Sequence, residues 1–271
     1  MNRALSILVA VLAFATVSAF AAPGDIIVRD EFTGAGTAPT VVPPGGPYDL
    51  WGRIPDTANL PGGTWVGNLG WSYGIYNNVA WGNADITITK SIASAGGYVK
   101  PSLIAISADV NLGWTDPVTQ GAGLGGSGYG SGRGVGVGFF AGGLFTGVTV
   151  GADGSLNILD SSYWYSPTWI ANLPWAGGGS FDPSAWHSLA YTIDTSSGAI
   201  TSLTFDGTPY SVTTTAFLDA DTDQAGFYMN SWSGNNYGYV DNFQVMEEVP
   251  EPSTLACVAM AGLLALRRRR G

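Results

Sequence analysis

The sequence predicts an all-β protein with the fold of a β-sandwich or a barrel. Several segments alternate apolar and polar residues with the period of two that is typical of a half-buried strand, for example Asp85-Ile-Thr-Ile-Thr-Lys90. The chain contains 40 glycines. Between its two ends it has almost no Lys, Glu or Gln to favour helices. Short strands joined by glycine-rich turns, with no helical period, indicate a sandwich or barrel.

The predicted strands follow one another from residue 85 to residue 245. Asp-Gly pairs at Asp153-Gly154 and Asp206-Gly207 predict tight hairpins. The polar segment Asp194–Gly198 separates two apolar runs and predicts a loop. The strands are expected at residues 85–90, 103–110, 134–140, 145–150, 188–193, 200–205, 226–232 and 238–245.

The N-terminus has the composition of a secretory signal peptide. Arg3 is followed by the apolar stretch Ala4–Val17, and Ala19-Phe20-Ala21 has the small-x-small pattern of a cleavage site. An uncleaved N-terminal anchor is the alternative. We therefore expect a signal peptide at residues 1–21, a folded domain at 22–246 and a C-terminal sorting region at 247–271.

The C-terminal region combines three features in a fixed order. These are the segment Val249, Pro250, Glu251, Pro252, Ser253, Thr254, an apolar run that contains Leu255, Leu263, Leu264 and Leu266, and the block Arg267, Arg268, Arg269, Arg270. The order is that of a stop-transfer signal, with arginines held on the cytoplasmic side. The run from Leu255 to Leu266 is shorter than the ~20 residues that span a bilayer comfortably, which favours a transient anchor in a short hydrophobic helix. An ordinary tail anchor is the alternative.

This pattern closely resembles the PEP-CTERM sorting signal of Gram-negative bacteria. The resemblance implies an exported protein that uses the general secretion machinery and is held transiently in the inner membrane, where an exosortase processes it. It also implies a final location in the cell envelope, on the outer surface or in the extracellular matrix. Cargo of this kind is commonly associated with exopolysaccharide and biofilm.

Charge excludes one class of partner. The full chain has a formal net charge of −10, and removal of both targeting segments leaves 5 basic and 19 acidic residues from Pro23 to Val249, a net charge of −14. A surface this negative repels nucleic-acid phosphates and anionic lipids, so no nucleic-acid partner is expected. The single cysteine, Cys257, lies in the apolar tail, so the folded domain contains no disulfide.

Three segments of the domain resemble concanavalin A-like (laminin G-like) jelly rolls. Arg29-Asp-Glu-Phe-Thr-Gly34 resembles their opening strand, and Trp186–Asp194 with Leu203–Gly207 resembles their strand–turn–strand core. Gly238–Val245 resembles the closing strand that pairs beside the first. An immunoglobulin-like sandwich of about 100 residues would be too small for this chain. A β-helix would need a repeat that the sequence lacks.

No catalytic arrangement is recognisable in the sequence. Retaining glucanases of this fold place two carboxylates about 5 Å apart on one strand, whereas the domain's only glutamates are Glu31 and, in the expected linker, Glu247 and Glu248. The only histidine, His187, is expected to be a packed strand residue, and no Ser-His-Asp arrangement with a nucleophile elbow is present. We therefore expect no enzymatic activity and no catalytic residue.

Dense aromatic residues indicate glycan binding. Aromatic rings stack on the apolar faces of sugars, although they equally fill the cores of large β-sandwiches. The preferred candidate group lies between expected strands, where Pro167 and Pro174 would keep it outside the sheets. It consists of Tyr163, Trp164, Tyr165, Trp169 and Trp175. A second group consists of Trp65, Trp71, Tyr73, Tyr76 and Trp81.

No cofactor or metal is expected. Asp219-Ala-Asp-Thr-Asp223 spaces its carboxylates as calcium would require, but Gln224 and Asn230 occupy places where an EF-hand needs Gly and Glu. An acidic loop is the preferred interpretation, and a structural calcium stays open. The Gly-rich stretch Gly121–Gly134 precedes a strand and is interpreted as a loop rather than a dinucleotide site.

Two classes of function follow from these observations. The first is an exported surface or matrix protein whose lectin-like domain binds or packs among extracellular polysaccharide. The second is a carbohydrate-active enzyme, a polysaccharide lyase or glycosidase, with an unrecognised site. A purely structural surface protein is the remaining alternative.

Overall fold

The computed structural model describes fourteen stretches of the chain, within residues 26–248. They are 26–34, 50–58, 63–67, 73–82, 85–89, 101–113, 134–141, 144–151, 154–159, 168–173, 182, 184–212, 224–230 and 238–248. These residues form strands and turns and contain no helix. A helix that is long and apolar enough to cross a membrane is therefore not found among them.

Sixteen strands are present in the described residues. They are β1 (Ile26–Asp30), β2 (Thr57–Ala58), β3 (Trp65–Gly67), β4 (Tyr73–Tyr76), β5 (Val79–Gly82), β6 (Asp85–Ile88), β7 (Leu103–Asn111), β8 (Gly134–Ala141), β9 (Leu144–Gly151), β10 (Ser155–Leu159), β11 (Thr168–Asn172), β12 (His187–Asp194), β13 (Ile200–Phe205), β14 (Thr208–Pro209), β15 (Gln224–Asn230) and β16 (Gly238–Glu247).

The strands form two antiparallel sheets. The larger sheet has nine strands in the order β14-β13-β12-β7-β16-β1-β2, with β5 also pairing with β16 and β4 pairing with β5. The smaller sheet has seven strands in the order β11-β10-β9-β8-β15-β6-β3. The all-β sandwich predicted from the sequence is thereby confirmed, and β16 pairs beside β1 as the resemblance implied. The opening strand lies at Ile26–Asp30 rather than at residues 29–34.

Apolar side chains from the inner faces of both sheets form one core. Alternate residues of β7 face inward, from Ile104 to Val110, because successive side chains of a strand point to opposite faces. Four aromatic rings meet at one end of this core with centroids 5.3 to 5.9 Å apart, namely Phe32, Trp65, Phe227 and Phe243. The hydroxyl of Tyr191 on β12 crosses the core and donates to the carbonyl of Val137 on β8 at 2.8 Å.

A fully buried carboxylate, Asp30, lies beside this aromatic cluster. Both of its oxygens accept hydrogen bonds from the Arg53 guanidinium, at 2.8 and 3.0 Å, and Oδ1 also accepts from the Phe32 amide at 2.8 Å. Burial raises the pKa of Asp30, while the hydrogen bonds from Arg53, Trp65 and Phe32 act in the opposite direction. The carboxylate is completely enclosed by donors, so its role is structural.

The hairpin turns have the chemistry that the sequence predicts. Asp206 and Gly207 both have positive φ, 49° and 71°, as a two-residue type I′ turn requires. Asp194 accepts hydrogen bonds from the amides of Ser196 and Ser197 and thereby closes the β12–β13 turn. The Ser196 hydroxyl also donates to Asp194, and this bond, together with those from the amides of Ser196 and Ser197, lowers the pKa of Asp194.

Candidate functional site

The outer face of the seven-stranded sheet is the most unusual part of the domain, because its described side chains in β8, β9 and β10 are enclosed rather than exposed to solvent. Val135 and Val137 of β8 belong to the core, so Gly134, Gly136 and Gly138 lie on the opposite, outer face. The described side chains of β8, β9 and β10 are buried on both faces. A sheet with one solvated face would instead alternate buried and exposed residues.

Directly paired residues form one continuous line across six strands of this face. Trp169 of β11 pairs with Asn157 of β10, Asn157 with Thr149 of β9, and Thr149 with Gly136 of β8. Gly136 pairs in turn with Tyr228 of β15, and Tyr228 with Asp85 of β6. We call this line the polar row. With about 4.8 Å between neighbouring strands, it extends for roughly 24 Å.

The middle of the polar row carries an unsatisfied hydroxyl. Asn157 donates from Nδ2 to Ser155 Oγ at 2.7 Å. Thr149 is 1% exposed, and its Oγ1 has no hydrogen-bond partner. A buried hydroxyl without a partner is unfavourable by about 1–3 kcal/mol, so such groups are rare unless something else occupies them. Thr149 can both donate to and accept from a bound hydroxyl group.

A second line on the same face consists of glycines. Gly147, Gly138 and Gly226 pair across β9, β8 and β15, next to the polar row. A Cβ at these three positions would lie 2.1 to 2.3 Å from a carbonyl oxygen of the neighbouring strand. The close backbone approach therefore requires glycine here, and it leaves a floor without side chains beside the polar row.

Aromatic rings cover this glycine floor. A Cβ on Gly147 would lie 2.8 Å from the Phe145 ring, and one on Gly226 would lie 2.8 Å from the Phe140 ring. The rings of Phe145 and Tyr228 stack with centroids 5.3 Å apart. Together with Leu159 they form a buried cluster that is separate from the main core. On this face, an apolar area lined by aromatic rings therefore lies next to the polar row.

The electrostatic character of this sheet is close to neutral. Its seven strands contain a single ionisable acid or base, Asp85, apart from tyrosine. A glycosidase needs two carboxyl groups on either side of the scissile bond, and these strands do not supply a pair. The face thus combines polar groups and aromatic rings without a pair of acids, and its described side chains in β8, β9 and β10 are buried.

Of the five aromatic residues predicted to bind glycan, the structure describes one, Trp169. Trp169 lies in β11, the edge strand next to Asn157, so the expectation that the whole group lies outside the sheets is wrong for this residue. Tyr163, Trp164, Tyr165 and Trp175 lie outside the described residues. The polar row itself was not recognised in the sequence, because it depends on the register of six strands.

The second aromatic group contributes to the framework of the domain. Trp65, Tyr73 and Trp81 are at most 1% exposed. Tyr76 in β4 is half-buried. Burial raises the pKa of Tyr73 to about 12. Trp71 lies outside the described residues. The three buried rings stabilise the sandwich and do not offer a surface to a ligand.

His187 is a packed strand residue, as the sequence predicts. Its side chain is 6% exposed and stacks on Phe205 with ring centroids 5.1 Å apart. Nδ1 lies 2.7 Å from Asp206 Oδ2, and Nε2 lies 2.6 Å from the carbonyl of Asp182. Both ring nitrogens are thus engaged with acceptors, which leaves neither available to a substrate.

No metal centre is seen within the described stretches: no three His, Cys, Asp or Glu side chains are placed to share an ion there. Asp219–Asp223, where a structural calcium stays open, lies outside these stretches, as does Gly121–Arg133. Gly134 begins strand β8.

The sorting region joins the fold more tightly than expected. Strand β16 includes Glu247, one residue beyond the predicted domain boundary, and Glu248 also makes hydrogen bonds to the sandwich. The expectation that these two glutamates lie in a free linker is therefore wrong. Residues 249–271, with the sorting segment, the apolar run and the arginine block, lie outside the described residues, as does the predicted signal peptide.

Several solved structures resemble this fold at low sequence identity. The botulinum neurotoxin serotype G binding domain has 10% identity and a TM-score of 0.47, over 88% of this chain and 51% of that one. The carbohydrate recognition domain of Emp46p, in metal-free form, has 11% identity and a TM-score of 0.43, over 69% and 89%. Trypanosoma rangeli sialidase has 15% identity and a TM-score of 0.38, over 66% and 26%. The chain matches about half the length of the neurotoxin domain.

Comparison of sequences gives a sharper result for the C-terminal region. No curated protein sequence matches the chain significantly. The family model of the PEP-CTERM protein-sorting motif matches residues 248–270. These are the residues in which the Pro-Glu-Pro segment, the apolar run and the arginine block were recognised. The chain therefore carries a PEP-CTERM sorting motif directly after the last strand of its β-sandwich.

Proposed function

We propose that this protein is an exported surface or matrix protein that binds extracellular polysaccharide through the outer face of its seven-stranded sheet. The sorting motif at 248–270 indicates export with transient anchoring in the membrane. On this proposal an exosortase processes the tail, and the sandwich then carries out its role among the polymers outside the cell.

The unpartnered hydroxyl of Thr149 is the observation that carries the binding proposal. Thr149 is 1% exposed, so on this proposal the residues that enclose the face move aside when a ligand binds. It lies in a row with Asn157 and Tyr228, beside a glycine floor and a pair of stacked rings. Sugars present both hydroxyl groups and flat C–H faces, so a face that combines polar groups with rings is complementary to them. The row of roughly 24 Å is long enough for a chain of several sugar rings.

A neutral polysaccharide is the favoured class of ligand. The strands of the seven-stranded sheet carry no basic residue to pair with an acidic sugar. The domain as a whole has a net charge of −14 between Pro23 and Val249, which repels polyanions. The proposed role is non-catalytic, because the described part of this face offers one carboxylate position, Asp85, rather than a pair.

Strand β9 provides a matched pair of variants for a direct test. Thr149 and Thr146 are both buried and both have an unpartnered hydroxyl, but Thr149 faces outward and Thr146 faces the core. Thr149→Val and Thr146→Val therefore make the same chemical change on opposite faces of one strand. Only the first should weaken binding, by about five-fold for the loss of one hydrogen bond.

Binding would be measured by affinity electrophoresis and calorimetry with the chain from residue 22 to residue 248. The probes would be a soluble β-glucan, a galactomannan, dextran and the acidic polymer alginate. Saturable binding to a neutral polymer that Thr149→Val weakens and Thr146→Val preserves would support the proposal. Absence of binding to all four polymers, or equal effects of the two variants, would contradict it.

A further inference from the structure

Both ends of the folded domain leave the sandwich at the same place. Strands β1 and β16 are antiparallel neighbours in the nine-stranded sheet, and Ile26 at the start of β1 pairs with Met246 near the end of β16. The predicted signal peptide precedes Ile26, and the sorting motif follows Glu247. Both membrane-targeting segments are thus connected to one end of the domain.

This end of the domain, which we call the proximal end, is tied together by several hydrogen bonds. The Glu248 amide donates to the Leu103 carbonyl at 3.0 Å, and its carboxylate accepts from Thr192 Oγ1 at 2.7 Å. The Thr195 amide donates to the carbonyl of Ser102 at 2.9 Å. The proximal end therefore comprises Ile26, Ser102, the turn Thr195–Ser197 and Glu248.

The connection from the proximal end to the apolar tail is short. Six residues, Val249–Thr254, separate Glu248 from Leu255, where the apolar run begins. At no more than about 3.5 Å per extended residue they reach roughly 20 Å. Glu248 is the last described residue, and its hydrogen bonds hold it on the sandwich. The tether between the sandwich and the apolar run is therefore limited to Val249–Thr254.

We propose that the domain stands end-on while the tail is inserted, with its proximal end toward the membrane and its opposite end away from it. The opposite, distal end carries the Asp206–Gly207 turn and the exposed indole of Trp186, which is 45% exposed. Strand β13 joins the two ends, and its six residues separate the Thr195–Ser197 turn from the Asp206–Gly207 turn by roughly 20 Å.

The short tether, rather than attraction to lipid, holds the domain in this orientation. Asp194, Glu247 and Glu248 all lie at the proximal end, and their charges repel anionic headgroups. The orientation should therefore depend on the length of the tether. The proposed end-on orientation does not depend on polysaccharide binding and rests only on insertion of the apolar tail.

Two exposed positions on the same hairpin allow a matched measurement. Ser197 lies in the proximal turn and Thr208 in the distal turn region, and both are exposed. Ser197→Cys and Thr208→Cys would each be made in the chain from residue 22 to residue 271, which lacks the predicted signal peptide, with Cys257→Ser, which removes the only native cysteine. Each would be spin-labelled and inserted into phosphatidylethanolamine–phosphatidylglycerol vesicles that contain a nickel-chelating lipid.

Nickel at the membrane surface should relax the label at position 197 several-fold more strongly than the label at position 208. A flexible Gly-Ser insertion of about twelve residues after Glu248 should remove most of this difference. Equal relaxation at the two positions without the insertion, or stronger relaxation at 208, would overturn the proposal. So would a chain that does not float with the vesicles, because no end of the domain would then be tethered. Failure of glycan binding would leave this result unchanged.

Discussion

The indole Nε1 of Trp65 donates a hydrogen bond to Asp30 Oδ2 at 2.7 Å, across a separation of 35 residues. Asp30 ends β1 of the nine-stranded sheet, whereas Trp65 begins β3 of the seven-stranded sheet. This bond therefore joins the two layers of the sandwich at one end of the core. Arg53, from the segment between them, binds the same carboxylate through two nitrogens.

Removal of this carboxylate should strongly destabilise the domain. Asp30→Ala leaves the guanidinium of Arg53, the Trp65 indole and the Phe32 amide without their shared acceptor. We expect the free energy of unfolding to fall by about 3–5 kcal/mol, as for other broken buried ion pairs. Urea denaturation followed by tryptophan fluorescence would measure the change.

Glu31→Gln is the matched control, because Glu31 pairs with Arg29 at the surface and both side chains are more than 40% exposed. Its effect should lie within about 1 kcal/mol. A loss for Asp30→Ala no larger than that for Glu31→Gln would contradict the role assigned to Asp30.

Asp241 should limit stability at neutral pH. It pairs with Asp109 across β16 and β7, and Asn242 donates to Asp109 at 2.7 Å. Burial, with the nearby charges of Asp109, Glu31 and Asp30, raises the pKa of Asp241, although the Asn242 amide opposes this. A raised pKa in the folded state means that ionised Asp241 is unfavourable there, so the penalty is present at neutral pH and disappears on acidification.

Asp241→Asn should therefore raise the free energy of unfolding by about 0.5 kcal/mol at neutral pH, in the range of cross-strand charge pairs. The gain should vanish as the pH falls toward 3.8, the ordinary value of the group. Asp182→Asn should have the opposite sign, because hydrogen bonds from Ser184 lower the pKa of Asp182. Denaturation curves at several pH values would reveal both trends, and a gain that persists in acid would be inconsistent with this explanation.

The two unpartnered threonines of β9 should both be unfavourable for folding. Replacing Thr149 or Thr146 by Val removes a buried hydroxyl without a partner and keeps the shape of the side chain. Each variant should gain about 1 kcal/mol in unfolding free energy. Differential scanning calorimetry would detect a higher Tm in both, and a lower Tm for Thr149→Val would indicate that its hydroxyl has a partner within the fold.

Gly226 should not tolerate a side chain. A Cβ there would lie 2.1 Å from the Ile86 carbonyl, so Gly226→Ala forces β15 and β6 apart. We expect a loss of about 1–3 kcal/mol, typical of overpacking. Gly207→Ala is a useful comparison, since nothing lies within 4 Å of a Cβ at that position. Its φ of +71° is unfavourable for alanine by about 1 kcal/mol. Urea denaturation of both variants would separate crowding from backbone strain.

The longer strands of the fold could be predicted from local sequence because their alternation reflects burial on one face. Strand β7 alternates half-buried and buried residues from Leu103 to Val110, and the prediction of a strand over these residues is confirmed. The strands β2, β3 and β14 have two or three residues, too few for a period to be visible. The strands β4 and β5 have four residues each, which do not alternate polar and apolar side chains. Strand β10 was missed because its alternation of polar and apolar residues, Ser155 to Ile158, covers only four residues.

The candidate site could be predicted only in part. Trp169 was selected for its chemistry, but its partners Asn157 and Thr149 are ordinary polar residues within their strands. Their importance arises from the register between strands up to about a hundred and forty residues apart, such as β6 and β15. The sorting motif, in contrast, is a local pattern, so the sequence alone was sufficient to recognise it.

The position of β16 also has a consequence for secretion. This last strand lies in the interior of the nine-stranded sheet, where it pairs with β7, β1 and β5. An N-terminal part of the chain that lacks residues 238–247 leaves β7 and β1 without their common neighbour, so the nine-stranded sheet is divided into separate parts. If the chain crosses the membrane from its N-terminus, as the predicted signal peptide would require, the nine-stranded sheet stays incomplete until β16 and the sorting motif that follows it have emerged.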